Sequence, residues 1–335
     1  MGAIEVRGLT KRYGDVVAVD GLDLTVESGE LFGLLGPNGA GKSTLINVLC
    51  TLLAPTGGTA TVAGHDVRTG PDAVRERIGV VFQEPALDEE LTGAENLAFH
   101  GRLYGMRNPE RAERIDEVLD LVDLSDRRDE RVGNYSGGMA RRLELARGLL
   151  HGPEVLFLDE PTVGLDAGTR NAVREYVREL NARTGVTVVI TTHYMDEASA
   201  LCDRVAVVDR GSVVACDTPG ALTSRLGGDH VEVGVDDPEA ARDRVVGFDW
   251  VETVAVVDGG VEVVVDSGER RVAPLLAAVG EVAEVHTVAV RKPTLEQVFL
   301  ELTGRSLREA GADDTRGTPA SDRVATNGHG DGGRR

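Results

Sequence analysis

The chain has 335 residues and is 41% hydrophobic, a globular composition long enough for two domains with a large buried core. Its 36 basic and 56 acidic residues leave a net charge of −20. Such a surface repels nucleic acid unless it carries a local basic patch, and no such patch is evident in the sequence, so we do not expect nucleic acid as a partner. The longest apolar runs, such as Val186 to Ile190, are too short to span a bilayer, and the first residues lack a signal-peptide pattern. We therefore expect a cytoplasmic protein that reaches a membrane only through a partner chain.

Apolar runs typical of strands alternate with helical patterns from Ile4 to about Leu226, which predicts an α/β domain over residues 1–228. The predicted strands are Ile4–Val6, Val16–Val26, Leu31–Leu35, Thr59–Val62, Ile78–Phe82, Val155–Leu158, Thr187–Thr191, Val205–Val208 and Val213–Cys216. From about residue 84 to residue 150 only helical spacing appears, at Glu95–Tyr104, Glu110–Leu124 and Met139–Leu150. A helical insertion is therefore expected within the α/β domain.

A second unit is predicted over residues 229–304, where the element order β-α-β-β-α-β indicates a small α+β domain of ferredoxin-like fold. Its predicted strands are Val231–Val235, Val251–Val257, Gly260–Val265 and Val282–Val290, and its predicted helices are Pro238–Val246 and Arg270–Val279. A last helix, Thr294–Leu302, follows Pro293. Residues 305–335 are rich in Gly, Asp, Arg, Ser and Thr without periodicity, so we expect a disordered tail.

The segment between the predicted strand Leu31–Leu35 and the following helical pattern fits G-x-x-x-x-G-K-[ST], the phosphate-binding P-loop or Walker A motif. Glycines allow successive backbone N–H groups to face phosphate oxygens, and the helix N-terminus adds a favourable dipole. The lysine of the motif can reach the β- and γ-phosphates, and its serine can ligate Mg²⁺. The predicted nucleotide-binding residues are Gly36, Pro37, Asn38, Gly39, Ala40, Gly41, Lys42, Ser43 and Thr44.

Two acidic residues end the apolar strand Val155–Leu158, in the pattern called Walker B. Asp159 is predicted to help hold Mg²⁺ beside the P-loop, together with Ser43. Glu160 is predicted to polarise the attacking water. An acid pair at a strand end is common, so this assignment depends on the P-loop that precedes it.

A second Gly-rich turn, Ser136-Gly137-Gly138, precedes the helical pattern Met139–Leu150 and offers a second phosphate cradle. With Tyr135 and Met139 it reads Y-S-G-G-M, which resembles the L-S-G-G-Q signature of ATP-binding-cassette (ABC) ATPases. Tyr135 and Met139 depart from the usual Leu and Gln, but the cradle atoms are backbone and serine. The resemblance therefore implies that the cradle is functional.

The same resemblance extends to four more positions between Ile4 and about Leu226. Tyr13 resembles the aromatic residue that stacks on adenine, and Gln83 resembles the Q-loop glutamine that contacts Mg²⁺ and water. Asp166, in Gly164-Leu165-Asp166, resembles the D-loop at the dimer interface, and His193 resembles the switch histidine at the γ-phosphate. The family implies a homodimer that closes head to tail around two Mg-ATP and separates on hydrolysis.

The segment Pro293–Gly304 resembles the C-terminal segment of daunorubicin-resistance-type ATPases, a match that Leu91-Thr92 and Glu95-Asn96-Leu97 support. These ATPases power exporters of drugs and lipid-like molecules whose membrane permease is a separate chain. The resemblance implies that the helix in this segment closes a regulatory domain, and that the protein binds peripherally at the inner face of the cell membrane. The alternative is a soluble ABC ATPase that is not coupled to transport, although no long coiled coil or second cassette is evident.

Two features of composition add expectations. Lys11, Lys42 and Lys292 are the only lysines, and so strong an acid excess with so little lysine resembles proteins from salt-loaded cytoplasm. Each of the three cysteines, Cys50, Cys202 and Cys216, stands beside apolar residues without a C-x-x-C pair. We expect them to pack as small hydrophobic residues and not to bind metal.

Overall fold

A computed structural model describes residues 2–83 and 86–304 of the chain, so the expected tail, 305–335, lies outside the described residues. The strands are β1 Gly2–Tyr13, β2 Val16–Glu27, β3 Leu31–Leu35, β4 Gly57–Val62, β5 His65–Asp66, β6 Ile78–Val81, β7 Val155–Asp159, β8 Thr187–Thr192, β9 Arg204–Asp209, β10 Ser212–Asp217, β11 Asp229–Val235, β12 Val251–Val257, β13 Gly260–Val265 and β14 Val285–Arg291. The α-helices are α1 Lys42–Leu49, α2 Pro71–Arg75, α3 Gly93–Leu103, α4 Glu110–Leu121, α5 Gly137–Leu149, α6 Ala167–Thr184, α7 Met195–Leu201, α8 Pro219–Thr223, α9 Pro238–Val245, α10 Gly268–Val279 and α11 Leu295–Thr303.

A six-stranded sheet of order β10-β9-β3-β8-β7-β6 forms the centre of the α/β domain. Its strands pair in parallel except for β10, which pairs antiparallel with β9 at one edge. All residues of β3 and β8 are buried, as expected for strands covered on both faces. Because β3 is central, the P-loop that follows it lies at the carboxyl edge of the sheet, where open α/β sheets bind ligands.

Two hydrophobic cores cover the two faces of this sheet. One contains Phe32 and Leu34 of β3, residues of α1, and residues of the antiparallel sheet β2-β1-β4-β5. The other contains Leu31 and Leu35 of the same strand with the helices of the insertion. The alternation along β3 therefore sends successive side chains into opposite cores, which fixes the register of the strand.

The insertion between β6 and β7 is helical, as predicted from its spacing, and consists of α3, α4 and α5. A capping box begins α3: the Thr92 hydroxyl accepts from the Glu95 N–H, and the Glu95 carboxylate accepts from the Thr92 N–H. Leu97 of α3 and Val118 of α4 are fully buried in the core that these helices share with the central sheet.

The second unit has a four-stranded antiparallel sheet of order β12-β13-β11-β14 with α9 and α10 packed on one face. This order is the one expected for the ferredoxin-like fold, so the predicted fold class is confirmed. The strand predicted at Val282–Val290 begins later, at Val285, because the Val282 and Ala283 N–H groups bond back to the main-chain oxygen of Val279 and prolong the end of α10.

The last described helix packs against the first domain, although it follows the second unit in the chain. Leu295, Val298 and Phe299 of α11 are buried in the core of the α/β domain, where the helix contacts α7 and α8. The family resemblance implied that this helix closes the second domain, whereas its apolar face covers the first. Among the helices of residues 2–83 and 86–304, none has both the length and the apolar character required to cross a bilayer.

Candidate nucleotide-binding site

The P-loop holds the backbone conformation that its glycines allow. Gly39 and Gly41 have φ values of 78° and 101°, which other residues rarely adopt. At Gly41 a Cβ would also lie 2.3 Å from the main-chain oxygen of Ala18, so a larger residue has no room there. The loop can therefore approach a ligand with its backbone, and its last residue leads directly into α1.

Lys42 lies at the floor of the loop with only 5% of its surface exposed. Its ammonium donates to the main-chain oxygens of Gly36 at 2.7 Å and Pro37 at 2.9 Å. Burial lowers the pKa of Lys42, while the charges of Glu160 and Asp159 oppose that shift. The loop thus presents a desolvated cation beside two acids, an arrangement suited to an anionic ligand that arrives with a divalent cation.

A cavity of about 630 Å³ opens over the P-loop. It brings together residues that the sequence predicted for nucleotide and metal binding, and it adds four that sequence reasoning missed. The predicted ones are Asn38, Gly39, Gly41, Lys42, Ser43, Thr44, Gln83 and Glu160, and the added ones are Val16, Val17, Ala18 and Arg210. The three residues of β2 give the cavity an apolar wall, and Arg210 adds an exposed cation at its edge.

Tyr13 stands beside this cavity and does not line it. It is 46% exposed at the end of β1, paired with Val16 across the β1–β2 hairpin. The ammonium of Lys11 lies 5.1 Å from the centre of its ring. An aromatic ring next to the apolar wall is positioned at the rim, where a flat ligand group could extend from the phosphate end.

Glu160 and His193 meet at the carboxyl edge of the sheet. The Nδ1 atom of His193 lies 3.1 Å from Oε1 of Glu160, joining the ends of β7 and β8. Glu160 has a φ of 46°, unusual for a residue other than glycine. Its N–H donates to both the hydroxyl and the main-chain oxygen of Thr191, at 3.0 and 3.1 Å, which holds this strained turn. Strain of this kind is concentrated at functional sites.

Asp159, the last residue of β7, accepts a hydrogen bond from the Thr191 hydroxyl. It interacts electrostatically with Lys42, so it lies on the P-loop side of the sheet edge. Pro37 and Asn38 line a neighbouring cavity of about 730 Å³ together with His193 and residues Lys292 to Glu296. Ala40 is 3% exposed and packs into the core beneath the loop.

The second predicted cradle lies elsewhere in the chain. The Ser136 hydroxyl accepts from the Met139 N–H at 3.2 Å and begins α5. Ser136 and Gly138 line a separate cavity of about 320 Å³ that shares no residue with the one over the P-loop. A Cβ on Gly138 would lie 3.0 Å from the Thr169 methyl group, so α5 begins close against α6.

Asp166 begins α6 and does not line the P-loop cavity. Its carboxylate accepts from the N–H groups of Gly168 and Thr169, both at 3.0 Å, and from the Thr169 hydroxyl at 2.6 Å. The hydrogen bonds from Thr169 lower the pKa of Asp166. The side chain therefore fixes the turn before α6, and Leu165 of this turn lies beside Gly137.

A buried ion pair on α5, Arg141 with Glu144, joins the site to the insertion and was not found by sequence reasoning. The pair is 2.7 Å apart, with side-chain exposures of 9% and 3%. Arg141 also donates to the main-chain oxygens of Pro161 at 2.8 Å and Phe82 at 3.0 Å. Glu144 accepts from the Ala86 N–H at 2.7 Å. Residues on both sides of Gln83 are thus tied to α5, and helical i, i+3 spacing between opposite charges was the signal available in the sequence.

Known proteins share these motifs and this fold. Residues 19–163 match the family model of the ABC transporter. The chain is 43% identical over 328 residues to the daunorubicin/doxorubicin resistance ATP-binding protein DrrA of Streptomyces peucetius, covering 93% of this chain and 97% of that protein. It is 39% identical over 311 residues to the linearmycin resistance ATP-binding protein LnrL of Bacillus subtilis (strain 168), covering 91% of this chain and all 100% of that protein.

Solved structures of ATP-binding cassettes share the fold of the α/β domain. The cbiO1 protein of Clostridium perfringens, part of the ABC transporter complex cbiONQ, aligns with a TM-score of 0.63 at 30% identity, over 67% of this chain and 92% of that one. A dimeric ATP-binding cassette in a post-hydrolysis state with ADP and Pi aligns with a TM-score of 0.56 at 28% identity, over 64% of this chain and 98% of that one. The chain therefore belongs to the ABC transporter family, as an ATP-hydrolysing subunit of the daunorubicin-resistance type.

Proposed function

We propose that this chain powers the export of drug-like or lipid-like molecules by a separate membrane permease, through ATP-driven closure of a homodimer. The observation that carries the dimer is the separation of the two phosphate cradles. The P-loop cavity and the cavity at Ser136 have no residue in common, so one chain offers each half of a site in a different place. Two chains related by a two-fold axis would bring each P-loop against the partner's Ser136 cradle.

Within the proposed site, the chain's own groups bind and orient the phosphates. Backbone N–H groups of the P-loop and the Lys42 ammonium face the phosphate oxygens. Glu160 accepts a hydrogen bond from the attacking water and orients it toward the γ-phosphate. His193 holds the Glu160 carboxylate at 3.1 Å, so the base is fixed before the ligand arrives. Rate enhancement follows mainly from positioning and charge neutralisation.

The donor set also fits Mg²⁺, which when bound supplies positive charge at the β- and γ-phosphates. Ser43 and Gln83 offer a hydroxyl and an amide oxygen on the same cavity, and Asp159 offers a carboxylate at the neighbouring strand end. Oxygen ligands from few side chains are typical of a magnesium site completed by phosphates and water. Residues 2–83 and 86–304 contain no cluster of three or more His, Cys, Asp or Glu side chains that could hold a metal ion.

The cargo class and the place of action are proposed from the relatives and from one exposed surface. The relatives' names refer to daunorubicin and linearmycin resistance, which supports an exporter of drug-like molecules. Phe99 and Leu103, four residues apart on α3 of the insertion, are 57% and 68% exposed. A permease that covers them would hold the ATPase at the inner face of the cell membrane.

The alternative is a soluble ABC ATPase that is not coupled to transport. One purification experiment distinguishes the two hypotheses. The full chain carrying Glu160→Gln is produced alone and together with a candidate permease, sought in the neighbouring reading frame. ATP should convert the isolated variant to a stable dimer, because the variant still binds ATP but does not hydrolyse it. Light scattering measures the mass of this dimer. The permease should co-purify with the ATPase from detergent extracts. A variant that stays monomeric with ATP would contradict the shared site, and a dimer without any permease complex would favour the soluble alternative.

A further inference from the structure

A buried carboxylate is hydrogen-bonded to the turn that carries His193. Glu197, in the first turn of α7, is only 1% exposed. Its Oε2 atom accepts a hydrogen bond of 2.5 Å from the Thr192 hydroxyl. The oxygen of that hydroxyl in turn accepts from the Tyr194 N–H at 3.0 Å. The residues on both sides of His193 are therefore tied to one carboxylate.

The contacts of this carboxylate are poor for stability. Oε1 of Glu197 lies 3.8 Å from Nε of Arg174 in α6, and neither atom makes a hydrogen bond within residues 2–83 and 86–304. Arg174 instead donates to the exposed carboxylate of Asp196 at 2.8 Å. A buried ion pair repays its desolvation only when its geometry is good and its remaining lone pairs are satisfied. The short hydrogen bond of Glu197 to Thr192 is thus the contact that its burial secures.

The His193 ring needs a fixed main chain to point at its partner. Its side chain is 34% exposed, so close packing alone does not set its direction. Nδ1 of His193 lies 3.1 Å from Oε1 of Glu160, and its ring centre lies 4.2 Å from that of Tyr194. Arg170 of α6 lies over the Tyr194 ring at 4.4 Å. Both contacts of the imidazole depend on how the chain leaves β8, and Thr192 is the last residue of that strand.

We propose that Glu197 is a positioning residue for ATP hydrolysis. Through the Thr192 hydroxyl it fixes the turn at the end of β8, and this turn directs the His193 imidazole at the Glu160 carboxylate. The inference rests on the proposed function, in which Glu160 orients the attacking water and His193 holds it. A displacement of about 1 Å in such an arrangement can cost about 100-fold in rate. Glu197 and Thr192 do not line the P-loop cavity, so the loss should fall on kcat and not on ATP binding.

A purely structural role would place Glu197 at the start of α7 only as a favourable charge. Acids in the first turn stabilise a helix N-terminus, and Asp196 stands in the same turn. The Asp196 side chain is 68% exposed and accepts from Arg174. Asp196→Asn is therefore the matched control, because it removes the same charge from the same turn and leaves the hydrogen bond between Thr192 and Glu197 in place.

The test measures kcat and KM for ATP with the full chain. Thr192→Val removes the hydroxyl at nearly constant shape and should lower kcat roughly 10- to 100-fold, with KM within about twofold of wild type. Thr192→Ser restores the hydroxyl and should recover most of the wild-type kcat. Glu197→Gln keeps an acceptor for the hydroxyl and should retain far more activity than Glu197→Ala. The control Asp196→Asn should match wild type.

A signal from the His193 ring separates positioning from a general loss of structure. The chain has seven histidines, so the ring signals of isotope-labelled histidine can be followed by NMR, and His193→Ala assigns the one of interest. Thr192→Val and Glu197→Ala should shift or broaden the His193 signal. The signals of His100 and His151, which lie in and beside the helical insertion, should stay unchanged.

The outcomes distinguish this inference from the proposed function. A His193→Ala chain that hydrolyses ATP at the wild-type rate would refute the proposed role of His193, and this inference with it. Loss of turnover in His193→Ala combined with a wild-type kcat in Thr192→Val would refute the role of Glu197 alone. An unchanged His193 signal in Thr192→Val, or a loss in Asp196→Asn as large as that in Glu197→Ala, would also refute it.

Discussion

The buried pair Arg141–Glu144 allows a sharp energetic prediction. Glu144→Gln keeps an acceptor for the Ala86 N–H but leaves the Arg141 guanidinium buried without an opposite charge. Such a loss costs about 3–5 kcal/mol. In a domain of this size each kcal/mol lowers the melting temperature by about 2–4 °C, so the fall should be roughly 6–20 °C. Arg141→Met should cost a similar amount, because it leaves the Glu144 carboxylate buried.

The double variant Arg141→Met/Glu144→Gln should be more stable than either single variant. Neither charge of the pair remains, and the main loss is the two hydrogen bonds from Arg141 to the main-chain oxygens of Pro161 and Phe82. At about 1 kcal/mol each, this amounts to about 2 kcal/mol, against about 6–10 kcal/mol if the single effects were additive.

Denaturant unfolding of the four chains at neutral pH measures the coupling. Glu117→Gln is the matched control, since Arg114–Glu117 is also an i, i+3 pair but is exposed at 33% and 62%. It should change stability by less than about 0.5 kcal/mol. Two results would refute the argument from burial. One is a double variant whose loss of unfolding free energy equals the sum of the two single losses, and the other is a loss for Glu117→Gln as large as that for Glu144→Gln.

Three more predictions concern the nucleotide and the solvent. Lys42→Ala should weaken ATP binding to the monomer, whereas Ser136→Arg should leave it nearly intact and block dimer closure; equal losses in an equilibrium binding assay would contradict the shared site. Arg210→Ala should weaken ATP binding about two- to fivefold, as expected for one exposed charge at the cavity edge, and an unchanged dissociation constant would remove Arg210 from the site. ATPase activity and melting temperature should both rise from low to molar KCl, because salt screens the repulsion between chains of net charge −20; activity that peaks near about 0.1 M and then falls would contradict this salt dependence.

Most of the fold could be predicted because its signals are local. The strands β3 and β8 are continuous apolar runs in the sequence, and buried parallel strands require such runs. The alternating valines of β11 and β13 likewise show which face of the second sheet meets its helices. The P-loop was recognisable because its backbone conformation restricts the residue types at fixed spacings.

The features that the sequence left hidden depend on contacts between distant segments. An amphipathic pattern shows that α11 buries Leu295, Val298 and Phe299, but it cannot show that the covering core belongs to the first domain. Arg210 reaches the cavity only because the β9–β10 turn lies beside the P-loop, where the Gly211 N–H donates to the Ala40 oxygen at 2.9 Å. Periodicity carries no information about either placement.

The helix α5 connects two parts of the proposed nucleotide site. Its N-terminus carries the Ser136 cradle for the second copy, and its middle holds both sides of the Gln83 loop through Arg141 and Glu144. Seven of its thirteen residues are buried, so a shift of one end of this packed helix is transmitted to its neighbours. A permease that shifts the Gln83 loop should therefore shift Ser136 as well. Reciprocity then requires that the permease changes the affinity for ATP by the same factor as ATP changes the affinity for the permease. The Arg141→Met/Glu144→Gln chain loses the hydrogen bond from Arg141 to the Phe82 oxygen but keeps an acceptor for the Ala86 N–H. The ratio of its ATP affinities with and without the permease should therefore lie closer to one than the wild-type ratio, and an unchanged ratio would show that this contact does not carry the coupling.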